Sequence, residues 1–248
     1  MKLRIKPDFS ASCIDHRTVQ KGASLNGELA NLRSRCYVAQ TFLEHDIEFS
    51  IPFMLMPDGS RKVYDPCGQH IVHGPDGKDD FNGNYKLRKG KLTRRMYRDA
   101  MAAAQYHIDE LIKLGYTEGW GSIDFVGNTK TQEVWAIERN ARTTATLYPI
   151  RGSELLFEGK VMPFNNRGFI YQRGMDVEVL HGHFDGLLLR PGGHTGLVLY
   201  CVLPEVQFAE GEPTVGFSYA VSYARTYDEL EQLDREVDDR MDVLSKAA

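Results

Sequence analysis

The feature that most narrows the fold is a helix that needs a sheet to lie on. Within residues 93–114, Met96, Ala100, Ala104, Ile108, Leu111 and Ile112 recur at helical spacing and draw one apolar stripe along an otherwise polar segment. Thr93 offers an N-cap oxygen and Gly115 a residue free to leave the helix. Such a stripe is stable only against a second apolar surface. The residues that follow supply a partner: 121–126 and 133–140 read as strands joined by the turn formers Gly127-Asn128-Thr129-Lys130, a β-hairpin.

Around this unit the chain alternates short elements. Residues 3–7 predict a strand, since basic and aliphatic side chains alternate with period two, and 28–35 predict a short helix. Residues 37–43 and 48–56 are strand-like, and Pro57-Asp58-Gly59 turns the chain into 61–64, so these segments are expected to form an antiparallel meander. Residues 74–90 are rich in Gly, Asp, Asn and Lys and predict an exposed loop. Beyond Pro149, apolar segments at 169–172, 177–180, 187–190 and 197–203 predict strands packed on the core, and 227–244 a closing amphipathic helix.

Composition excludes some functions. A net charge of −4 gives no electrostatic case for nucleic acid as the main partner, and 42% hydrophobic with 26% charged residues is a globular balance. The first residues alternate charge with aliphatics and no apolar run is long enough to span a bilayer, which predicts a cytoplasmic protein without a membrane partner. Cys13, Cys36, Cys67 and Cys201 are too far apart for a C-x-x-C motif and are expected to be reduced, structural thiols. His70-x-x-His73 and His181-Gly182-His183 lack acidic or cysteine companions at ligand spacing and read as surface or substrate-contact residues. The glycine-rich run 191–196 lacks the Gly-Lys-Ser/Thr ending of a P-loop and reads as a turn.

The predicted hairpin carries the chemistry. Glu138 and Asn140 are two apart and share a face, with Asp124 available from the preceding strand. Three hard oxygen donors suit magnesium, which takes one or two protein carboxylates and completes its shell with water and phosphate oxygens. Taken singly, Asp124 and Glu138 read better as ordinary solvent-facing strand residues.

In its surroundings the hairpin says more. Gly119-Trp120-Gly121-Ser122-Ile123-Asp124, followed by Ala136-Ile137-Glu138-Arg139-Asn140-Ala141-Arg142, resembles the metal-binding hairpin of the ATP-grasp superfamily, and the first segment is similar to D-alanine–D-alanine ligases. The resemblance covers about residues 3–144. It implies an α/β fold of the α+β type, in which two subdomains, each with an antiparallel sheet and helices, hold the nucleotide between them. Residues 1–42 would be part of the first subdomain, 43–150 the second with the metal hairpin, and 151–248 an extension packed on the core that can serve substrate binding.

The same resemblance implies roles. Asp124, Glu138 and Asn140 would hold two magnesium ions, for which manganese can substitute, and Arg142 would face a phosphate or a substrate carboxylate. Lys6, in Ile5-Lys6-Pro7, would contact ATP ahead of a small-residue loop, Ser10-Ala11-Ser12-Cys13, that folds over the phosphates. Gln40, Thr41, Phe42 and Leu43 would form the hinge strand along adenine, Glu48 would bond the ribose hydroxyls, and Lys86 would reach the γ-phosphate. The implied activity is that of an ATP- and magnesium-dependent carboxylate–amine ligase working through an acyl phosphate on small-molecule or peptide substrates. A non-catalytic nucleotide-binding module, one half of a split enzyme, and an ATP-grasp kinase are the alternatives. Family members carry a substrate-binding α/β domain and a further lysine ahead of this region, so the expectation is a fragment, a reduced member, or a chain completed by a second copy or partner subunit.

Overall fold

The computed structural model describes residues 3–7, 17–19, 37–73, 79–207 and 213–246. The strands are β1 (Leu3–Pro7), β2 (Arg17–Val19), β3 (Tyr37–Thr41), β4 (Ile47–Leu55), β5 (Arg61–Val63), β6 (Cys67–His73), β7 (Asp79–Lys86), β8 (Gly119–Asn128), β9 (Glu133–Asn140), β10 (Phe164–Tyr171), β11 (Gly196–Val206) and β12 (Val215–Tyr223). The helices are α1 (Arg94–Lys113), α2 (Leu147–Leu156), α3 (Val177–His183) and α4 (Tyr227–Lys246). A three-stranded sheet runs β2-β1-β3, and a nine-stranded sheet runs β11-β12-β10-β7-β6-β4-β8-β9, with β5 beside β4. Neighbouring strands in both sheets are antiparallel.

Period-two alternation gives the large sheet two unlike faces. On one, Phe49, Ile51, Phe53 and Leu55 of β4 and Ile123 and Phe125 of β8 pack under Met96, Ala100, Ala104, Ile108 and Leu111 of α1. The Phe49 and Phe125 rings stack with centroids 5.2 Å apart. Each of these large side chains contributes about 1.5–3 kcal/mol by leaving water. Thr93 caps α1 by accepting from the Met96 amide at 3.2 Å, and Gly115 follows with φ of +95°, as the sequence predicts. Further along the same face, Leu233, Val237, Met241 and Leu244 of α4 pack against Tyr171, Leu197 and Ala220. The opposite face carries Cys67, Phe164, Val221 and Tyr223 under Ile150 of α2, and beside them the polar side chains of the site. Among the described residues, no helix is long and apolar enough to cross a membrane.

Several elements differ from the sequence expectations. Residues 79–86, expected in a loop, are β7 at the middle of the sheet, flanked by β6 and β10. Two neighbours satisfy its backbone, so its low strand propensity is overridden. β3 pairs with β1 in the small sheet instead of joining the β4–β5 meander. Residues 177–180 begin helix α3, because the Asp176 carboxylate accepts from the Val179 amide at 3.0 Å and starts a helical turn. Residues 187–190 reach no further than an isolated bridge, Leu188 to Leu197, while β12 and α2 went unpredicted. The helix expected at 28–35 lies outside the described residues, as do Cys13 and Cys36; Cys67 and Cys201 are free thiols.

Candidate active site

The β8–β9 hairpin forms as expected and places Asp124 directly opposite Glu138, with Ser122 opposite Asn140. A bulge follows at once: Phe125 pairs with Ala136, so Ile137 is the extra residue that keeps Glu138 and Asn140 on the face of Asp124. Gly121 lets the strands meet, since a Cβ there would sit 2.3 Å from the Phe53 ring and 2.7 Å from the Asn140 carbonyl oxygen. Asp124 is held from three sides. The Ser50 hydroxyl donates to Oδ1 at 2.7 Å and the Ser122 hydroxyl at 3.3 Å, while Asn140 Nδ2 donates to Oδ2 at 2.9 Å. Gln69 Nε2 in turn donates to the Ser50 hydroxyl at 2.7 Å, so β6, β4, β8 and β9 are tied in one polar row.

Burial first, and then the facing Glu138 carboxylate, push the Asp124 carboxyl up to about 6. A cation between the two carboxylates would relieve both causes. With Asn140 Nδ2 turned to Asp124, its Oδ1 faces away and is free to be a ligand beside the exposed Glu138 carboxylate. This all-oxygen donor set fits magnesium, with water and phosphate completing the shell. Among the described residues no cluster of three or more His, Cys, Asp or Glu exists, so soft or multi-histidine metal centres find no ligand set there.

Glu48 lies two residues before Ser50 on β4 and therefore shares the polar face. His45 grips it: Nε2 is 2.8 Å from Glu48 Oε1 and Nδ1 is 2.6 Å from the Leu43 carbonyl oxygen. Both ring nitrogens face acceptors, which favours the doubly protonated ring, and the Glu48 hydrogen bond holds the imidazole above its ordinary value. Gln40 and Thr41 end β3 opposite Arg4 and Leu3, and Phe42 lies in the link to β4 with its ring 5.7 Å from that of His45. Leu43 contributes the carbonyl already named. Lys6 lies on β1 across from Val38, and the small-residue loop at 10–13 lies outside the described residues.

Lys86 stands apart from the carboxylate pair. Lys86 ends β7, across β6 and β4 from β8, and its ammonium donates to the Val161 carbonyl; burial lowers its affinity for a proton. Arg142 is exposed two residues past β9.

The sequence reading missed the polar residues that extend this row. Asn84 of β7 pairs with Gln69 on one side and Asn166 of β10 on the other, and the Tyr200 hydroxyl donates to Asn166 Oδ1 at 2.9 Å. Both asparagines are fully buried. Asn84 Nδ2 and Oδ1 and Asn166 Nδ2 have no hydrogen-bond partner, and neither does the Thr144 hydroxyl. Each such group costs about 1–3 kcal/mol of stability, which natural sequences tolerate mainly where something else is gained. Period-two spacing from Glu48 and Asp124 would have found Ser50 and Ser122; nothing local marks Asn84 or Asn166.

No family model matches this chain, and no curated protein sequence matches it. Solved structures do. Carboxyaminoimidazole ribonucleotide synthase from Aspergillus clavatus, complexed with ATP, superposes with a TM-score of 0.63 at 14% identity over 98% of this chain and 63% of its own. The same enzyme in complex with ADP and 5-aminoimidazole ribonucleotide gives 0.63 at 13% identity over 97% and 62%. N5-carboxyaminoimidazole ribonucleotide synthetase from Thermus thermophilus gives 0.60 at 14% identity over 99% and 62%. This chain thus spans less than two thirds of the length of these structures.

Proposed function

We propose, on the premise that this chain has the ATP-grasp fold, that it is an ATP- and magnesium-dependent ligase joining a carboxylate to an amine. The observation that carries this reading is the convergence of Asp124, Glu138 and Asn140 on one face of the β8–β9 hairpin. Two carboxylates with an amide oxygen suit a metal bridged to phosphates better than a hydrolytic dyad, because Asp124 is already hydrogen-bonded on both oxygens. In this reading residues 1–42 belong to one ATP-grasp subdomain, 43–150 to the second, and 151–248 to an extension that helps to hold substrate.

Magnesium would supply charge neutralisation on the transferring phosphoryl group. The protein's own part is positioning. Asp124, Glu138 and Asn140 Oδ1 would hold the magnesium, and Ser50, Ser122 and Gln69 keep Asp124 aimed. Glu48 takes the ribose hydroxyls once it leaves His45, with Gln40, Thr41, Phe42 and Leu43 along adenine and Lys6 and Lys86 toward the phosphates. Arg142 meets the substrate carboxylate, which attacks the γ-phosphorus and releases ADP; the amine then attacks the acyl carbon and releases inorganic phosphate. That the ATP complex of a carboxyaminoimidazole ribonucleotide synthase shares the fold supports nucleotide binding here.

The test is ADP release measured against pools of carboxylates and amines. Release that requires one of each, with an amide product, is the expected result; release with a phosphorylated hydroxyl would make the chain a kinase. Nucleotide binding without turnover under any pool would leave a binding module or one half of a split enzyme.

A further inference from the structure

We propose that Asn84 and Asn166 form a subsite for an uncharged amide group, a carboxamide or ring amide, on the part of the substrate remote from the reacting atoms. Both side chains lie on the face of the large sheet that carries Asp124, in the row that runs from Tyr200 through Asn166, Asn84, Gln69 and Ser50 to Asp124 and Glu138. Gln69, Ser50, Asp124 and the Asn166 oxygen are all bonded within the row. The three atoms left over, Asn84 Nδ2, Asn84 Oδ1 and Asn166 Nδ2, are fully buried and unpartnered. They are adjacent across one strand pair, so the leftover bonding capacity is gathered in one place.

The chemistry of those atoms selects the ligand. Asn84 presents a donor and an acceptor side by side, the complement of an amide edge, and Asn166 adds a second donor for the amide oxygen. A carboxylate would satisfy the donors but face Asn84 Oδ1 with no hydrogen to offer. The one cation two residues along β7 on this face, Lys86, already donates to the Val161 carbonyl. The place is also suited to a remote handle. β7 lies three strand spacings from β8, about 14 Å at ~4.8 Å each. A substrate whose carboxylate reaches the phosphates near Glu138 can therefore anchor its other end at Asn84. Tyr200 is flanked by the rings of Tyr148 and Tyr219, at 5.7 and 5.9 Å, which offers planar surface beside the amide.

The assignment to a substrate rests on the ligase reading; recognition of an amide does not. The probe is benzamide, with benzoate as its charged counterpart of the same shape, titrated into the ¹⁵N-labelled full chain with and without Mg·ATP. The Asn84 and Asn166 side-chain NH₂ signals are assigned by their loss in Asn84→Leu and Asn166→Leu. Both signals should shift saturably with benzamide, and benzoate should bind at least about tenfold more weakly, because a site built for an amide is left with an unpaired oxygen. Each leucine variant should lose about tenfold in benzamide affinity. The melting temperature of Asn84→Leu should be unchanged or raised, since an unpaired buried amide is replaced by an apolar group of similar size, whereas Asn166→Leu also takes the acceptor from the Tyr200 hydroxyl and should melt lower; Mg·ATP affinity should be unchanged in both. No shift with benzamide, an equal response to benzoate, or undiminished binding in the leucine variants would overturn the proposal. Should a leucine variant not fold, the wild-type titration with the benzamide–benzoate pair still decides. Failure of the wild type to bind Mg·ATP in the same samples would sink the ligase reading and leave the amide response standing.

Discussion

Burial and the facing Glu138 hold the Asp124 carboxyl up at about 6, so a proton would compete with the proposed divalent cation for the same oxygen atoms. Magnesium-dependent ATP affinity should therefore fall as pH drops through about 6, by up to about tenfold per unit, as followed by calorimetry at several pH values. An affinity flat from neutral to acidic pH would remove Asp124 from the cation site. His45 titrates with the opposite consequence for stability. Its folded-state value is raised by the Glu48 hydrogen bond, so its contribution is fully present below the ordinary imidazole value of 6.5 and is lost as pH rises through the raised folded value. The melting temperature of the wild type relative to His45→Gln should thus show its largest advantage in mildly acidic buffer and little at alkaline pH. If the ribose takes Glu48 from His45, saturating ATP should shrink that advantage.

At the scale of elements, β7 has the most to lose from a small change. Gly83 sits at φ of +132°, and a Cβ there would lie 2.0 Å from the Asn166 carbonyl oxygen on β10. Gly83→Ala should cost at least about 2–3 kcal/mol in denaturant unfolding. Gly90→Ala should cost only about 1 kcal/mol, because open space surrounds a new Cβ there and the positive φ is the whole of the strain. In the link between β3 and β4, Phe42→Ala should weaken ATP binding by about tenfold if Phe42 covers adenine, since one buried aromatic face is removed. Unchanged affinity in a folded variant would place adenine elsewhere. These elements also divide what the sequence could say from what it could not. α1 and the β8–β9 hairpin were legible because periodicity, cap and turn agree within a short window, and the shared face of Asp124, Glu138 and Asn140 came with the hairpin. β7 was not, because its segment is polar and Asn84 within it answers to neighbouring strands. Asn84 joins a row contributed by β6, β4 and β10, far apart in sequence. α3 was misread because Val177-Glu178-Val179 alternates like a strand while Asp176, just before it, caps a helix.

For the whole molecule, the nine-stranded sheet makes the last hundred residues part of the core. β10 pairs with β7, β12 with β10, and α4 covers the face that continues the α1 layer. Ending the chain after Tyr148 would expose the β7 edge and the apolar side chains of Tyr64 and Cys67 that Ile150, Phe164 and Tyr223 pack against, so the truncated protein should be insoluble and bind no nucleotide. A soluble truncation that binds ATP as well as the full chain would make this region dispensable to the fold. The central claim, that one hairpin holds the metal end of Mg·ATP, is tested most directly by titrating ATP calorimetrically into the wild type and Glu138→Gln, each with magnesium and with EDTA. Glu138 is exposed, so the variant should melt like the wild type. The wild type should bind ATP tightly only with magnesium, and Glu138→Gln should lose at least about tenfold of that magnesium-dependent affinity, the worth of one charged ligand. Magnesium-dependent binding in Glu138→Gln equal to that of the wild type would contradict the account.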